Sequence, residues 1–162
     1  MTVQSGLWWR SLLWAALVPG TVTVYAPYGL LSRTGALETF ALGGVGIAGI
    51  LLIGAGIAIL LHCIHQFAVT GHGTLSPLDA PTRLVIQGLY RYSRNPMYLG
   101  VMLILTGEAV LFQSLPLLVY TSVCFLLLNL GIAFYEEPRL LRQFGREYEE
   151  YCRQVGRWLP KL

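Results

Sequence analysis

Hydrophobic residues are gathered into four long runs along the chain, and polar residues are concentrated between and after these runs. The runs cover approximately residues 7–31, 37–61, 97–112 and 117–134. Each run is long enough, or nearly so, for a helix that crosses a bilayer, which takes about 20 residues. The pattern predicts four transmembrane spans, the first of them kinked or shortened by its prolines.

The polar connections predict how these spans are arranged. Gln113, Ser114 and Pro116 alone separate the last two runs, which predicts a tight antiparallel hairpin of helices. After the fourth run, apolar residues recur every three or four positions, at Leu140, Leu141, Phe144, Tyr148 and Tyr151. This spacing predicts one amphipathic C-terminal helix that starts at Pro138 and ends near Val155.

Composition agrees with a membrane protein. Of the 162 residues, 55% are hydrophobic and 12% are charged, about half the charged share of an average soluble domain. So much apolar surface excludes an ordinary soluble globule, and so little charge excludes a disordered chain. We expect a single all-α membrane domain over residues 1–162, with two spans in 1–70 and a polar loop, the hairpin and the C-terminal helix in 71–162.

The distribution of cations predicts the orientation. The segment after the second run contains Arg83, Arg91 and Arg94, whereas the first loop contains only Arg33. The cations after the fourth run are Arg139, Arg142, Arg146, Arg153, Arg157 and Lys161. By the positive-inside rule, the second loop and both termini face the cytoplasm. We expect the first run to be retained and not cleaved as a signal peptide, and the membrane to be a prokaryotic cytoplasmic membrane.

One literal motif is rejected on its context. Residues 44–49 spell the glycine pattern of dinucleotide-binding turns, but they lie inside an apolar run with no preceding strand, where that motif cannot work. We expect instead that the small residues pack helices closely, through the pairs Gly44/Ala48 and Gly54/Ala58.

Cysteines and histidines predict neither disulfides nor a metal site. Cys63, Cys124 and Cys152 are far apart and odd in number, and we expect all three to be reduced. His62 and His65 flank Cys63 at the end of the second run, without the third spaced ligand and carboxylate that a metal site requires.

Two polar residues stand inside apolar runs. Glu108 shares a helix face with Met97, Val101 and Ile104, and a carboxylate there is costly unless it faces a cavity or partner. Glu108 either lines a substrate cavity, where it would be the candidate catalytic base, or lies hydrated near the outer boundary. Asn129 either joins two helices or belongs to the same polar cavity.

Two segments carry the most informative pattern. The first, within 82–100, contains GLYRYSRNPMYLG, and the second, within 136–151, contains EEPRLLRQFGREYEEY. This pair resembles the integral-membrane methyltransferases, which include the isoprenylcysteine carboxyl methyltransferases, the phospholipid methyltransferases and bacterial relatives. The resemblance covers about residues 71–160. It implies that S-adenosylmethionine binds at the cytoplasmic side, between the loop, the hairpin and the tail.

The resemblance, together with the chemistry of the cofactor, assigns candidate ligands. Carboxylates suit its ammonium or ribose, arginine suits its carboxylate, and tyrosine faces suit its methylsulfonium. The candidate cofactor-binding residues are Thr82, Arg83, Leu84, Val85, Tyr90, Arg94, Asn95, Pro96, Met97, Tyr98, Glu136 and Glu137.

Two departures from the family pattern bear on the substrate. Asn95 stands where the eukaryotic enzymes have histidine, and Ile132 stands about where the prenylcysteine enzymes carry a substrate-binding arginine. The implied methyl acceptor is a lipid or lipophilic small molecule. The group that accepts the methyl is a carboxylate, an amine or a thiol, and Ile132 disfavours a prenylcysteine carboxylate. Nucleic acid is not an expected partner, and the oligomeric state stays open.

Two rival interpretations remain. Membrane sterol reductases share part of the first segment and use NADPH, although they lack so clear a second segment. A non-catalytic helical scaffold, with its basic tail on anionic lipid, would also explain the charges.

Overall fold

A computed structural model describes residues 19–37, 43–66 and 84–161, and every regular element in these ranges is a helix. The elements are α1 (Ala26–Thr34, preceded by a π turn at Thr21–Tyr25), α2 (Gly44–Gln66), a 3₁₀ turn (Gly88–Arg91), α3 (Pro96–Leu111), α4 (Leu115–Gly131), a π turn (Ile132–Glu136), α5 (Glu137–Phe144) and α6 (Arg146–Gln154). The all-α prediction is confirmed for the described residues.

Two helices are long and apolar enough to cross a membrane. They are α2 and the continuous helix Leu115–Phe144, while α3 is apolar but shorter. The bounds of α3 lie within one residue of the predicted run. The first predicted span falls partly on residues 1–18, outside the described ranges, so the count of four spans stays a prediction.

The amphipathic tail does not begin as a separate helix, which corrects the sequence prediction. α4 continues through the π turn into α5, and Pro138 is the second residue of α5. A proline inside a helix lacks an N–H and crowds the carbonyl of the preceding turn, and a wider π turn accommodates both effects. Glu136 and Glu137 therefore lie within a continuous helix, not at a helix start.

The tail is also two helices where one was predicted. Gly145 has a φ of 55° and separates α5 from α6. That left-handed conformation is inexpensive only for glycine, so the chain changes direction there. The Gly145 amide donates to the Leu141 carbonyl at 2.8 Å and ends α5.

Glycines set the closest approach between α2 and α3. A Cβ atom added to Gly49 would lie 2.7 Å from the Gly107 carbonyl oxygen, and one added to Gly56 would lie 2.6 Å from that of Gly100. Both helices thus present glycines seven residues apart, two turns along one face. Only residues without a side chain allow the backbones to meet this closely.

Helix packing is therefore the role of this glycine-rich run, but among the described residues the packing does not use the predicted pairs. A Cβ atom added to Gly44 or Gly54 would meet no described atom within 4 Å. Periodicity identifies several small-residue faces on α2, and only the position of α3 selects the one that packs.

Candidate functional site

The two polar segments come into direct contact on one side of the helices. The Tyr98 hydroxyl, in the first turn of α3, donates to Glu136 Oε2 at 2.9 Å. Arg94, just before α3, forms an ion pair with Glu137 at 3.0 Å between NH1 and Oε1. Three residues join α3 to α4 at the other end, so the folding of these two helices brings the segments together.

Glu137 is shared between two arginines. Arg157 donates from Nε to Oε1 at 2.9 Å and from NH2 to Oε2 at 2.7 Å, a bidentate geometry that is stronger than a single contact. The hydrogen bonds to Glu137 raise the pKa of Arg157 further above its usual value. Since Arg94 also reaches Glu137, two cations meet one carboxylate and a net positive charge remains.

Arg94 retains hydrogen-bonding capacity. Its NH1 also donates to Cys152 Sγ at 2.8 Å, and its side chain is 14% exposed. The Arg94 Nε atom is buried and has no acceptor among the described residues. A buried, unsatisfied donor is costly unless a ligand supplies the acceptor.

Asn95 holds the C-terminal tail. Its side-chain Nδ2 donates to the Arg157 carbonyl at 3.1 Å, and the Ser93 hydroxyl donates to the same oxygen at 3.1 Å. Asn95 is 7% exposed. The Asn95 side chain therefore binds the backbone of the tail, and its contact with a cofactor stays a prediction.

Asn129 also binds the tail. Its Oδ1 accepts from Trp158 Nε1 at 2.9 Å, and its Nδ2 donates to the Phe125 carbonyl within α4. The Trp158 ring lies 5.3 Å from the Phe125 ring, centroid to centroid. The sequence left two roles open for Asn129, a link between two helices or a place in a polar cavity. The structure shows Asn129 as a link, but it links α4 to the C-terminal tail and not to another span.

A cleft of about 640 Å³ lies where these groups meet, within the usual range for small-molecule sites. Its lining residues are Arg94, Ala133, Glu137, Pro138, Leu141, Tyr148, Glu149, Cys152 and Arg153. Arg94 and Glu137 were among the predicted site residues, whereas the sequence analysis did not assign the other residues of this lining to the site. The available signal was that Leu141 and Tyr148 belong to the recurring apolar positions of the amphipathic tail.

Several predicted cofactor residues are also parts of the protein core. Val85 and Tyr90 are buried against Cys63, with Met97 packed on the same cluster. The Tyr90 carbonyl accepts from the Tyr151 hydroxyl at 2.7 Å. Burial raises the pKa of both tyrosines, so both hydroxyls stay neutral.

Two further predicted positions have structural roles. Leu84 packs on the cluster that contains Tyr148 and Tyr151, and Pro96 is the first residue of α3. Thr82 and Arg83 lie outside the described residues. The cofactor contacts of these positions stay predictions.

Glu108 lies far from the cleft along α3. It is ten residues beyond Tyr98, which at the helical rise corresponds to about 15 Å. One carboxyl oxygen, Oε2, is buried without a partner among the described residues. Glu108 is not among the residues that line the cleft, and its role as a base stays a prediction.

A second cavity, of about 210 Å³, is apolar. It is lined by Pro19, Gly20, Thr23, Ile57, Leu60, Leu61, Ile64 and Ile104. The Thr23 hydroxyl already donates to the Pro19 carbonyl at 2.8 Å, so the cavity is lined mainly by hydrocarbon.

Comparison with known proteins places these features in a family. The sequence profile of the phospholipid methyltransferases matches residues 45–147. A probable protein-S-isoprenylcysteine O-methyltransferase of Oryza sativa subsp. indica is 37% identical over 79 residues, covering 48% of this chain and 41% of that protein. Methanethiol S-methyltransferase 1 of Bradyrhizobium diazoefficiens is 30% identical over 120 residues, covering 72% of this chain and 40% of that protein.

The chain spans about two fifths of the length of these curated relatives. No solved structure matches it at a significant level. The profile match covers well over half of the chain and includes all but the first residue of α2, the first polar segment and residues 136–147 of the second. The chain therefore belongs to the phospholipid methyltransferase family.

Proposed function

We propose that this chain transfers a methyl group from S-adenosylmethionine to a lipophilic acceptor at the cytoplasmic face of a membrane. The family match and the names of the relatives support methyl transfer. The observation that carries the proposal is the cleft in which Arg94 and Glu137, one from each polar segment, lie side by side.

The donor groups of the cleft suit this cofactor, which supplies an electrophilic methyl group on a cationic sulfur. Arg94, with its unsatisfied Nε, suits the cofactor carboxylate. Glu149 suits the ammonium group, and the Tyr148 ring suits the cationic sulfur, a contact worth about 0.5–2 kcal/mol. The groups needed for a zwitterionic sulfonium compound are thus present in one cleft.

Positioning is the main task of the protein in such a reaction. Holding two reactants in the productive geometry contributes about 7–11 kcal/mol, and the packed helices supply a rigid frame. A thiolate or carboxylate acceptor needs no base, whereas a protonated amine does. The sequence leaves the acceptor atom open among these three.

The surface of the helices supports an apolar acceptor. Leu126, Leu127 and Phe134 are among the most exposed large apolar side chains of the continuous helix, which suits contact with lipid. Ile132 is 2% exposed, so an apolar side chain is buried where the resemblance places a carboxylate-binding arginine. The first observation supports a lipophilic acceptor that enters from the bilayer, and the second disfavours a prenylcysteine carboxylate.

Calorimetry on the purified protein in detergent tests the proposal. We expect saturable binding of S-adenosylmethionine and no binding of NADPH. Arg94→Gln should weaken binding by about tenfold or more, because a charge-assisted hydrogen bond is worth about 1.5–3 kcal/mol. Arg91→Gln is the matched control, since Arg91 is exposed and does not line the cleft.

The outcomes separate the alternatives. Binding of NADPH in place of S-adenosylmethionine would favour a reductase. Folded protein that binds neither compound would favour a scaffold and contradict the proposal.

A further inference from the structure

Residues Gly156–Trp158, here called the C-terminal strap, connect parts of the cleft that are remote in sequence. The Arg94 amide donates to the Gly156 carbonyl at 3.0 Å, and the Arg157 guanidinium binds Glu137. Trp158 binds Asn129 of α4. The strap therefore fixes the backbone of Arg94 and the carboxylate of Glu137 at the same time.

The distribution of contacts around Glu137 is unequal. Arg157 occupies both carboxylate oxygens, while Arg94 reaches one of them with NH1 and keeps a buried Nε without an acceptor in the described part of the chain. If Arg157 were absent, Arg94 would be the one remaining ion-pair partner of Glu137 among the described residues. The positive charge of Arg94 would then be neutralised by Glu137 within the protein.

We propose that Arg157 is a positioning residue that neutralises Glu137, so that Arg94 keeps its charge for the carboxylate of S-adenosylmethionine. This inference rests on the proposed function. In this arrangement Glu137 is the counterion of two arginines and does not itself hold the cofactor, in contrast to its assignment from the sequence.

Two probes separate this role from a merely structural one. S-adenosylmethionine has a carboxylate, whereas 5′-methylthioadenosine has the same nucleoside without the amino acid part. Arg157→Met should weaken binding of S-adenosylmethionine by about tenfold or more and change binding of methylthioadenosine by no more than about twofold. An equal loss for both probes would overturn the inference, because it would indicate a general distortion of the cleft.

A double variant tests the charge balance directly. Glu137→Gln combined with Arg157→Met removes one charge of each sign and leaves Arg94 charged. We expect it to bind S-adenosylmethionine more tightly than Arg157→Met alone, and within about threefold of the native chain. Binding as weak as in the single variant would contradict the role proposed for Arg157.

Arg157→Met removes one partner of a partly buried ion pair and so destabilises the protein. If this variant fails to fold, the single variant Glu137→Gln keeps the inference testable. We expect its affinity for S-adenosylmethionine to be equal to or higher than that of the native chain. A loss of affinity of about tenfold would mean that Glu137 binds the cofactor. That result would refute this inference but not the proposed function. Absence of binding by the native chain would instead refute the proposed function.

Discussion

Single side chains in this protein are defined by the partners that they find. Glu108 has a buried oxygen without a partner among the described residues, and burying an unpaired polar group costs free energy. Glu137, by contrast, has both oxygens bound by arginines. The carboxylates of Glu108 in α3 and Glu137 in α5 thus have opposite surroundings, which indicates different tasks.

Replacement of Glu108 by glutamine tests whether this residue belongs to the cofactor site. We expect the affinity for S-adenosylmethionine, measured by calorimetry, to stay within about twofold, because Glu108 is about 15 Å from Tyr98 along α3. A larger loss would place the residue at the cofactor. If affinity is kept but turnover falls by roughly 10²–10⁴-fold, Glu108 acts as a base.

The sequence identified Asn95 and Glu137 as important, but it did not give their partners. Both belong to motifs that stand out locally, whereas Arg157 lies 62 and 20 residues away from them. Local periodicity contains no information on such distant pairs. Their contacts follow from the path of the tail after α6.

At the level of helices, hydrophobic periodicity predicted α3 almost to the residue but missed the division of the tail. An apolar run has clear ends because polar residues and proline interrupt it. Gly145 lies inside a continuous amphipathic pattern, and a single glycine is compatible with an unbroken helix. Its positive φ is therefore decided by the packing of α5 and α6, not by the local sequence.

The glycine contact between α2 and α3 allows a matched test. Gly56→Ala should destabilise the protein by about 1–3 kcal/mol, because its Cβ would overlap α3 and overpacking has that cost. Gly54→Ala should leave the stability unchanged or raise it by up to about 1 kcal/mol, because alanine favours the helix more than glycine does. No described atom lies within 4 Å of a Cβ at position 54. Thermal unfolding in one detergent compares the two variants.

Equal destabilisation by both substitutions would contradict this interpretation of the contact. A larger effect at Gly54 would mean that another part of the chain, or another molecule, packs on that face. The comparison therefore also tests which face of α2 is buried in the membrane protein.

For the whole molecule, the position of the polar segments predicts a topology. The cleft and the tail cations lie at one end of α3 and α4, and the turn with Gln113 lies at the other. We expect the end with the cleft to face the cytoplasm, because cations are retained on that side.

Labelling in intact cells checks this orientation. Single cysteines at Gln113 and Gln154, both exposed, are introduced into a chain whose three native cysteines are serine. A membrane-impermeant maleimide should label Gln113→Cys from outside, and Gln154→Cys only after permeabilisation. The reverse pattern would contradict the proposed cytoplasmic cleft.

The sequence by itself determined the helical class, the apolar runs, the placement of cations and the two motifs that indicate the family, because each of these is written in neighbouring residues. The tertiary structure decided which glycines touch, where the tail divides, and that Arg157 and Trp158 bind Glu137 and Asn129. Such contacts join residues tens of positions apart, and their register is set by the packing of helices, which no local pattern specifies.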